Sequence, residues 1–364
     1  MVWQRGPTDP DPDYDPPTPW RAGAVETPED ARRRVALEAW DSELTPDELA
    51  QRPTVDEVEL RQRRRARLLR AGNLALFALA VLGAAAGVAV AWMHVVGDPL
   101  ADAHAYYEAA SRLNAGQPLY PPGIDPSSNH IYLYPPLLAI VLRPLALLPY
   151  GLFAVAWELI VLVSFVLLVR YLGVRRRSTW IALGILGIPI GWALSVAQAH
   201  VPMTLLMAIG QPWSIAIAAN LKLFPALIAL WWLGRREWDS LVAFAIWSGL
   251  LVLAQLVLEP GGTLSFFNSV GFAQLGEVRN ISVFVVSPLA WAALLMLGGL
   301  LVILAARTRW GWALAVTLAT LAPPRLLVYM LTSLVAGIRK PRAAGEPDPN
   351  QPADVAASYV QASR

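Results

Sequence analysis

Cysteine is absent from all 364 residues of the chain. That excludes disulfide staples, thiolate metal sites and cysteine nucleophiles, and says little else about compartment. Charge is scarce as well: Asp, Glu, Lys and Arg make up 15% of the residues and the net charge is only +2. The basic residues sit in short polar breaks, so no long basic face offers itself to nucleic acid. The four histidines are scattered, with no HExxH and no paired-acid spacing, and a metal site is unsupported. No P-loop and no GxGxxG run is present, which argues against direct use of a nucleotide sugar. No fixed repeat period is visible.

Apolar residues are in excess. They form 56% of the chain, and the mean hydropathy is +0.46. Such a composition is too greasy for a soluble globular domain and normal for an all-α polytopic membrane protein. A crossing helix needs ~20 mostly apolar residues, and several such runs fall within residues 71–338, the expected membrane domain. Residues 1–70 read as a polar tail. It opens on a disordered PTDPDPDYDPPTP stretch and has helix starts at Thr27-Pro28 and Thr45-Pro46. Residues 339–364 read as a second polar tail. The first apolar run lies too far from Met1 for a cleaved signal peptide and reads as a retained signal anchor.

The arginines set the expected topology. Arg61, Arg63, Arg64, Arg65, Arg67 and Arg70 precede the first span, about residues 72–96, and place the N-terminus in the cytoplasm. Asp98 and Asp102 then emerge on the outer face. Arg175–Arg177, Arg235-Arg236, Arg307 with Arg309, and Arg339-Lys340 all fall on the cytoplasmic side under one parity. Both termini are therefore expected inside. Residues 134–148 read as a juxtamembrane or re-entrant helix, 201–233 as broken at Gln211-Pro212, and 311–338 as a short pair turning at Pro323-Pro324. The count comes to about eight to ten full or re-entrant passes.

The segment DPLADAHAYYEAASRLNAGQPLY, followed by YLYPPLLAIVLRPLALLP, is the most informative. Asp102 lies just past the first span, where a carboxylate is either a helix N-cap ahead of residues 103–113 or a base at the membrane surface. Asp98, followed by Pro99, reads more like a helix start. His104 is two residues from Asp102 and does not share its helical face. Glu158, inside an apolar run, reads as an intramembrane hydrogen-bond partner.

These blocks resemble the opening of glycosyltransferase family 87, actinobacterial membrane enzymes of the GT-C architecture. Further similarity runs through AQAH at 197–200, ANLKLFP at 219–225, RNIS at 279–282 and APPRL at 322–326. At 197–200 the family usually has Gly-Gln-x-Asn, so Ala197 and His200 depart from its pattern. The resemblance implies a GT-C-like helical bundle with an extracytoplasmic first loop. It further implies a glycosyltransferase that moves a sugar, mannose first, from a polyprenyl-phosphate donor to a cell-envelope glycolipid or polysaccharide. Because the family carries its catalytic Asp four residues before the first Tyr, Asp102 becomes the expected general base of an inverting transfer.

The candidate substrate-binding residues are Tyr106, Tyr134, Arg143, Gln198, His200, Lys222 and Arg325. Gln198 is the candidate for sugar hydroxyls; Arg143, Lys222 and Arg325 are the candidates for phosphate. Two alternatives remain for Lys222, phosphate binding or snorkelling to the cytoplasmic face. Arg143 has the alternative of flanking a juxtamembrane helix at the headgroups, and a lone histidine at a span end, as His200 is, is more often an interfacial hydrogen-bonder than a catalyst. No cofactor is expected beyond the lipid-linked co-substrate, no nucleic acid, and a bilayer as surroundings. An arabinofuranosyltransferase of the same architecture, a transporter and a membrane scaffold are the competing readings.

Overall fold

The computed structural model describes residues 55–121, 131–268 and 279–341. The helix starts expected at Thr27-Pro28 and Thr45-Pro46, and the C-terminal tail beyond Pro341, lie outside them. Every regular element among the described residues is a helix. Helix α1 (Val55–Gly97) runs unbroken from the arginine-rich stretch through the first apolar span. Helix α2 (Ala101–Asn114) follows the Asp98-Pro99 break. A short α3 (Pro136–Leu142) and a 3-10 turn precede α4 (Tyr150–Leu172). Helices α5 (Arg177–Ile185) and α6 (Gly187–Ser195) meet at a 71° bend.

Among the described residues, four helices are long and apolar enough to cross a bilayer, covering 63–97, 150–172, 238–258 and 288–305; the bent α5–α6 pair makes a fifth if it counts as one span. Their outward faces are apolar and exposed: Val88, Trp92, Leu159, Val242, Leu253, Leu289 and Met296 each leave more than half of their surface uncovered by protein. Only lipid tolerates such continuous apolar surface. The protein is a multi-pass membrane protein.

The remaining apolar stretches are shorter than a crossing. The run at 201–233 breaks at Gln211-Pro212 as expected. Helix α7 (His200–Ile209) ends on Gly210 at φ 64°, and α8 (Pro212–Leu221) starts on a Gln211/Ser214 capping box. Helix α9 (Ala229–Arg235) leads into α10 (Trp238–Leu258) and α11 (Pro260–Asn268). After α12 (Val283–Val286) and α13 (Pro288–Ala305), the last pair is α14 (Gly311–Leu321) and a 3-10 helix (Val328–Ile338). An eleven-residue α-helix covers about 17 Å, roughly half a hydrocarbon core. Among the described residues, the expected eight to ten full or re-entrant passes thus resolve into four or five full crossings plus half-length helices packed among them.

Glycines set the closest approach. A Cβ on Gly83 would overlap the Gly184 carbonyl, and one on Gly87 the Gly187 carbonyl; Gly187 and Gly191 meet α1 in the same way. With no hydrophobic force between helices in lipid, such backbone contact is what holds α1 against α5 and α6.

The two ends of α4 look into different surroundings. Its first turns pack on α2, with Tyr150 against His104 (5.0 Å between ring centres), Phe153 against Tyr107 (5.2 Å) and Trp157 against Tyr106 (5.7 Å). At its far end the Tyr171 carbonyl accepts a hydrogen bond from Arg339. Lys340 and Arg235 both lie over the Trp231 ring, which in turn packs on Trp312. The basic breaks at 170–177, 235–236, 307–312 and 339–340 therefore gather at one end of the bundle. Helix α2 lies at the other, about 34 Å away along α4.

Candidate active site

The site begins with two backbone hydrogen bonds. Leu100 N–H donates to Ser195 O and Asp102 N–H to Val196 O, both at 3.2 Å, and these join the first turn of α2 to the turn after α6. Helix α2 starts two residues earlier than expected. Leu100, not Asp102, occupies its N-cap, so the Asp102 side chain is free of a capping role. The turn it faces is held tightly. Ala197 sits at φ 55°, a left-handed conformation that non-glycine residues rarely adopt. Its carbonyl accepts from Trp157 Nε1 at 2.8 Å, and Gln198 N–H donates to Ala193 O at 2.8 Å.

That turn delivers Gln198, which is fully buried. Its Nε2 donates to Asp102 Oδ2 at 2.9 Å. Its Oε1 accepts from the Tyr106 hydroxyl at 2.6 Å and from the Tyr134 hydroxyl. The Tyr134 hydroxyl also lies 3.4 Å from His200 Nδ1, and His200 packs edge-on against Tyr329 at 5.5 Å. Tyr132 shapes the entry of this segment. Its hydroxyl donates to Pro135 O and accepts from Ala139 N–H, fixing the start of α3 and hence Tyr134.

Beyond Tyr134 opens a cleft of about 610 Å³, part of it continuous with the surroundings. Tyr134, Lys222, Phe266, Arg325, Tyr329 and Met330 are among its lining. Lys222 follows the last turn of α8; its Nζ is 3.3 Å from Met330 Sδ and 5.5 Å from the centre of the Tyr134 ring. It is thus held in the site rather than reaching for the arginine-rich end. Arg325 is presented by the Pro323-Pro324 turn, which residues 280–282 clasp. Asn280 donates to Pro324 O and accepts from Leu326 N–H, Ser282 donates to Pro323 O, and Ile281 N–H donates to Leu326 O. The RNIS and PPRL segments are therefore one structural unit.

The electrostatics follow from this layout. Burial pushes the Asp102 carboxyl up to about 7; Lys222, Arg325 and more weakly Arg279 pull it down, while Asp98 pushes it up. A carboxyl poised near neutrality can exchange a proton at working pH. Burial also lowers Lys222 well below its ordinary value. Arg325 lowers it further, and only Asp102 opposes. Two cations that disfavour each other's charge across a cleft are an arrangement that can receive an anion, whose charge would favour the protonated lysine.

Of the residues expected from sequence, Asp102, Tyr106, Tyr134, Gln198 and His200 form one connected cluster, and Lys222 and Arg325 face its cleft. Tyr106 is buried behind Gln198, away from the cleft. Arg143 stands apart. Its Nε donates to Asn114 Oδ1 at 3.1 Å and its carbonyl accepts from Asn114 Nδ2, a clasp between the end of α2 and the end of α3. Glu158 differs from its expectation: its Oε2 is buried with no hydrogen-bond partner.

The sequence profile of glycosyltransferase family 87 matches residues 132–340. The chain belongs to glycosyltransferase family 87. The family 87 match spans Tyr134, Gln198, His200, Lys222 and Arg325 and begins after Asp102. Two mycobacterial relatives are both named polyprenol-phosphate-mannose-dependent alpha-(1-2)-phosphatidylinositol pentamannoside mannosyltransferase. The one from Mycolicibacterium smegmatis is 31% identical over 177 residues, 43% of this chain and 43% of the relative. The one from Mycobacterium tuberculosis is 25% identical over 228 residues, 56% of this chain and 53% of the relative. The chain spans about half the length of these curated relatives. No solved structure matches it.

Several residues that brace this cleft have no role that the sequence alone suggests. Asn280 and Ser282 lie in the RNIS block without an expected function. Gln255 donates to Asn220 Oδ1 and accepts from Leu137 N–H, joining α10, α8 and α3 beneath the cleft. A lone Gln in an apolar span is itself a signal, because unpaired polar groups are costly in lipid.

Proposed function

We propose that the protein is an integral-membrane, inverting glycosyltransferase that moves a sugar, most simply mannose, from a polyprenyl-phosphate donor to a glycolipid or polysaccharide acceptor. The observation that carries the reading is the cleft faced by Lys222 and Arg325, with the near-neutral Asp102 carboxyl in Coulomb range of both. Family membership and the relatives' printed names favour mannose over arabinose. The separation of Asp102 from the basic end of the bundle supports an extracytoplasmic site with both termini in the cytoplasm.

The chemistry balances without a further reactant. An acceptor hydroxyl attacks the anomeric carbon and its proton passes to Asp102. The bond from that carbon to the phosphate oxygen breaks, and the electron pair leaves with the phosphate. Lys222 and Arg325 stabilise the added charge where it develops. Tyr134, Phe266 and Tyr329 give the cleft an aromatic wall suited to a sugar ring or the first isoprene unit. No cofactor takes part beyond the lipid-linked donor.

Transfer of radiolabelled mannose from polyprenyl-phosphate-mannose in membranes tests the reading. Asp102→Asn should lower turnover by ~10²–10⁴ with expression and donor binding retained. An Asp102→Asn protein that transfers mannose normally would remove Asp102 as the base, and a wild type that transfers none would favour a transporter or scaffold.

A further inference from the structure

Gln198 has no surface left with which to meet a sugar. It is fully buried, and its amide is committed on both sides. Oε1 accepts two tyrosine hydroxyls, Tyr106 and Tyr134, which occupies both of its lone pairs. The orientation of the amide follows from the chain of donors behind it. Ala199 N–H donates to the Tyr106 hydroxyl oxygen at 3.3 Å, so the hydroxyl's own proton is the one directed at Gln198. The group that meets Tyr106 must therefore be an oxygen, and the group that meets Asp102 must be the NH₂. The reverse orientation would set two tyrosine oxygens against an NH₂ and a carbonyl against a carboxylate.

We propose that Gln198 is a positioning residue that dedicates Asp102 Oδ2 to an amide hydrogen bond and leaves Oδ1 as the oxygen that receives the acceptor's proton. This rests on the assignment of Asp102 as base. Three independent constraints keep Gln198 in place: the left-handed Ala197 before it, Trp157 on the Ala197 carbonyl, and its own N–H on Ala193 O. The device acts through a neighbour rather than through substrate. Its consequence is a pH effect, because a hydrogen bond donated to the charged carboxylate favours that form and opposes the burial that disfavours it. The other groups around Asp102 are Asp98 from the end of α1, Tyr106 from α2, Tyr134 ahead of α3, Lys222 at the end of α8, and Arg279 and Arg325 from the clasped turn. Asp98, Lys222, Arg279 and Arg325 act on the carboxyl through charge, whereas Gln198, held by the two neutral tyrosine hydroxyls, acts through a bond to one of its two oxygens.

The test is the pH dependence of mannosyl transfer by the full-length protein, with Asp102→Asn as reference. Gln198→Leu should lower kcat and move the acidic limb of the profile upward by roughly one to two pH units, with donor KM nearly unchanged. Gln198→Glu should move it at least as far, because a second carboxylate replaces the donor. Tyr106→Phe keeps volume and releases the amide's orientation, so its limb should move the same way by less, and it serves if Gln198→Leu does not fold. A folded Gln198 variant with raised KM and an unmoved limb would make Gln198 a sugar contact. Equal loss at every pH would make its role structural. Either result overturns the proposal while leaving Asp102 as base; retained activity in Asp102→Asn overturns both.

Discussion

Asn280 and Pro324 are joined by a hydrogen bond from Nδ2 to the carbonyl at 3.0 Å, across 44 positions of sequence. The same side chain accepts from Leu326 N–H at 2.9 Å and from Ser282 N–H at 3.0 Å, so one buried amide fixes both sides of Arg325. Asn280→Leu removes all three bonds and leaves backbone groups without partners, each worth about 1–3 kcal/mol when buried. Donor KM should rise severalfold and the melting temperature in detergent should fall, while Asn280→Asp keeps the two accepted bonds and loses less. An unchanged KM in a destabilised Asn280→Leu protein would detach the clasp from donor binding.

Lys222→Met should act on two observables at once. Loss of a phosphate-facing cation should raise donor KM. Loss of its attraction for the Asp102 carboxylate should also raise the pKa of that group, which already stands at about 7. The base works only when deprotonated, so activity falls as pH drops through that value, and the acidic limb should move to higher pH. A limb that moves to lower pH, or stays while KM rises, would show that Lys222 does not sense Asp102.

The glycine seam gives a stability contrast. Gly87→Val puts atoms where the Gly187 backbone lies, and overpacking of this kind costs about 1–3 kcal/mol. Gly249, midway along α10, has open space where a Cβ would stand, with nothing within 4 Å. Gly249→Ala should therefore be neutral or stabilising by up to about 1 kcal/mol. Thermal melts of both in the same detergent check this. Equal melting temperatures would mean that α1 does not pack on α5 and α6.

Topology is open to cysteine labelling, because the native chain contributes no background thiol. Gln117, after α2, and Ser178, in the basic break, are both exposed and suit single replacements by cysteine. An impermeant maleimide on intact cells should modify Gln117→Cys and spare Ser178→Cys until the membrane is permeabilised. Labelling of the Ser178→Cys protein alone would put the Asp102 cluster in the cytoplasm. Thr263 is unsuited to such a probe, being buried with its hydroxyl donating to Glu259 O.

By itself the sequence determined the helical membrane class, the apolar runs, the break at Gln211-Pro212 and Asp102 as the carboxylate to examine. These properties are local: hydropathy over ~20 residues, a proline's missing N–H, an acid just past a span. It also preserved, in Ala197, the place of a glycine whose reason appears only as a positive φ. Which side chains meet was decided by tertiary structure alone. Gln198 looked like a sugar ligand and is buried with its amide bonded to Asp102, Tyr106 and Tyr134; Arg143 looked like a phosphate ligand and is tied to Asn114; Asn280 had no expected role and holds the backbone on both sides of Arg325. Each of these depends on a hydrogen bond spanning tens of residues, and such a bond leaves no periodicity in sequence. Its energy is realised only where the packing of α2, α6, α8 and the Pro323-Pro324 turn removes water and leaves each buried polar group one partner to find.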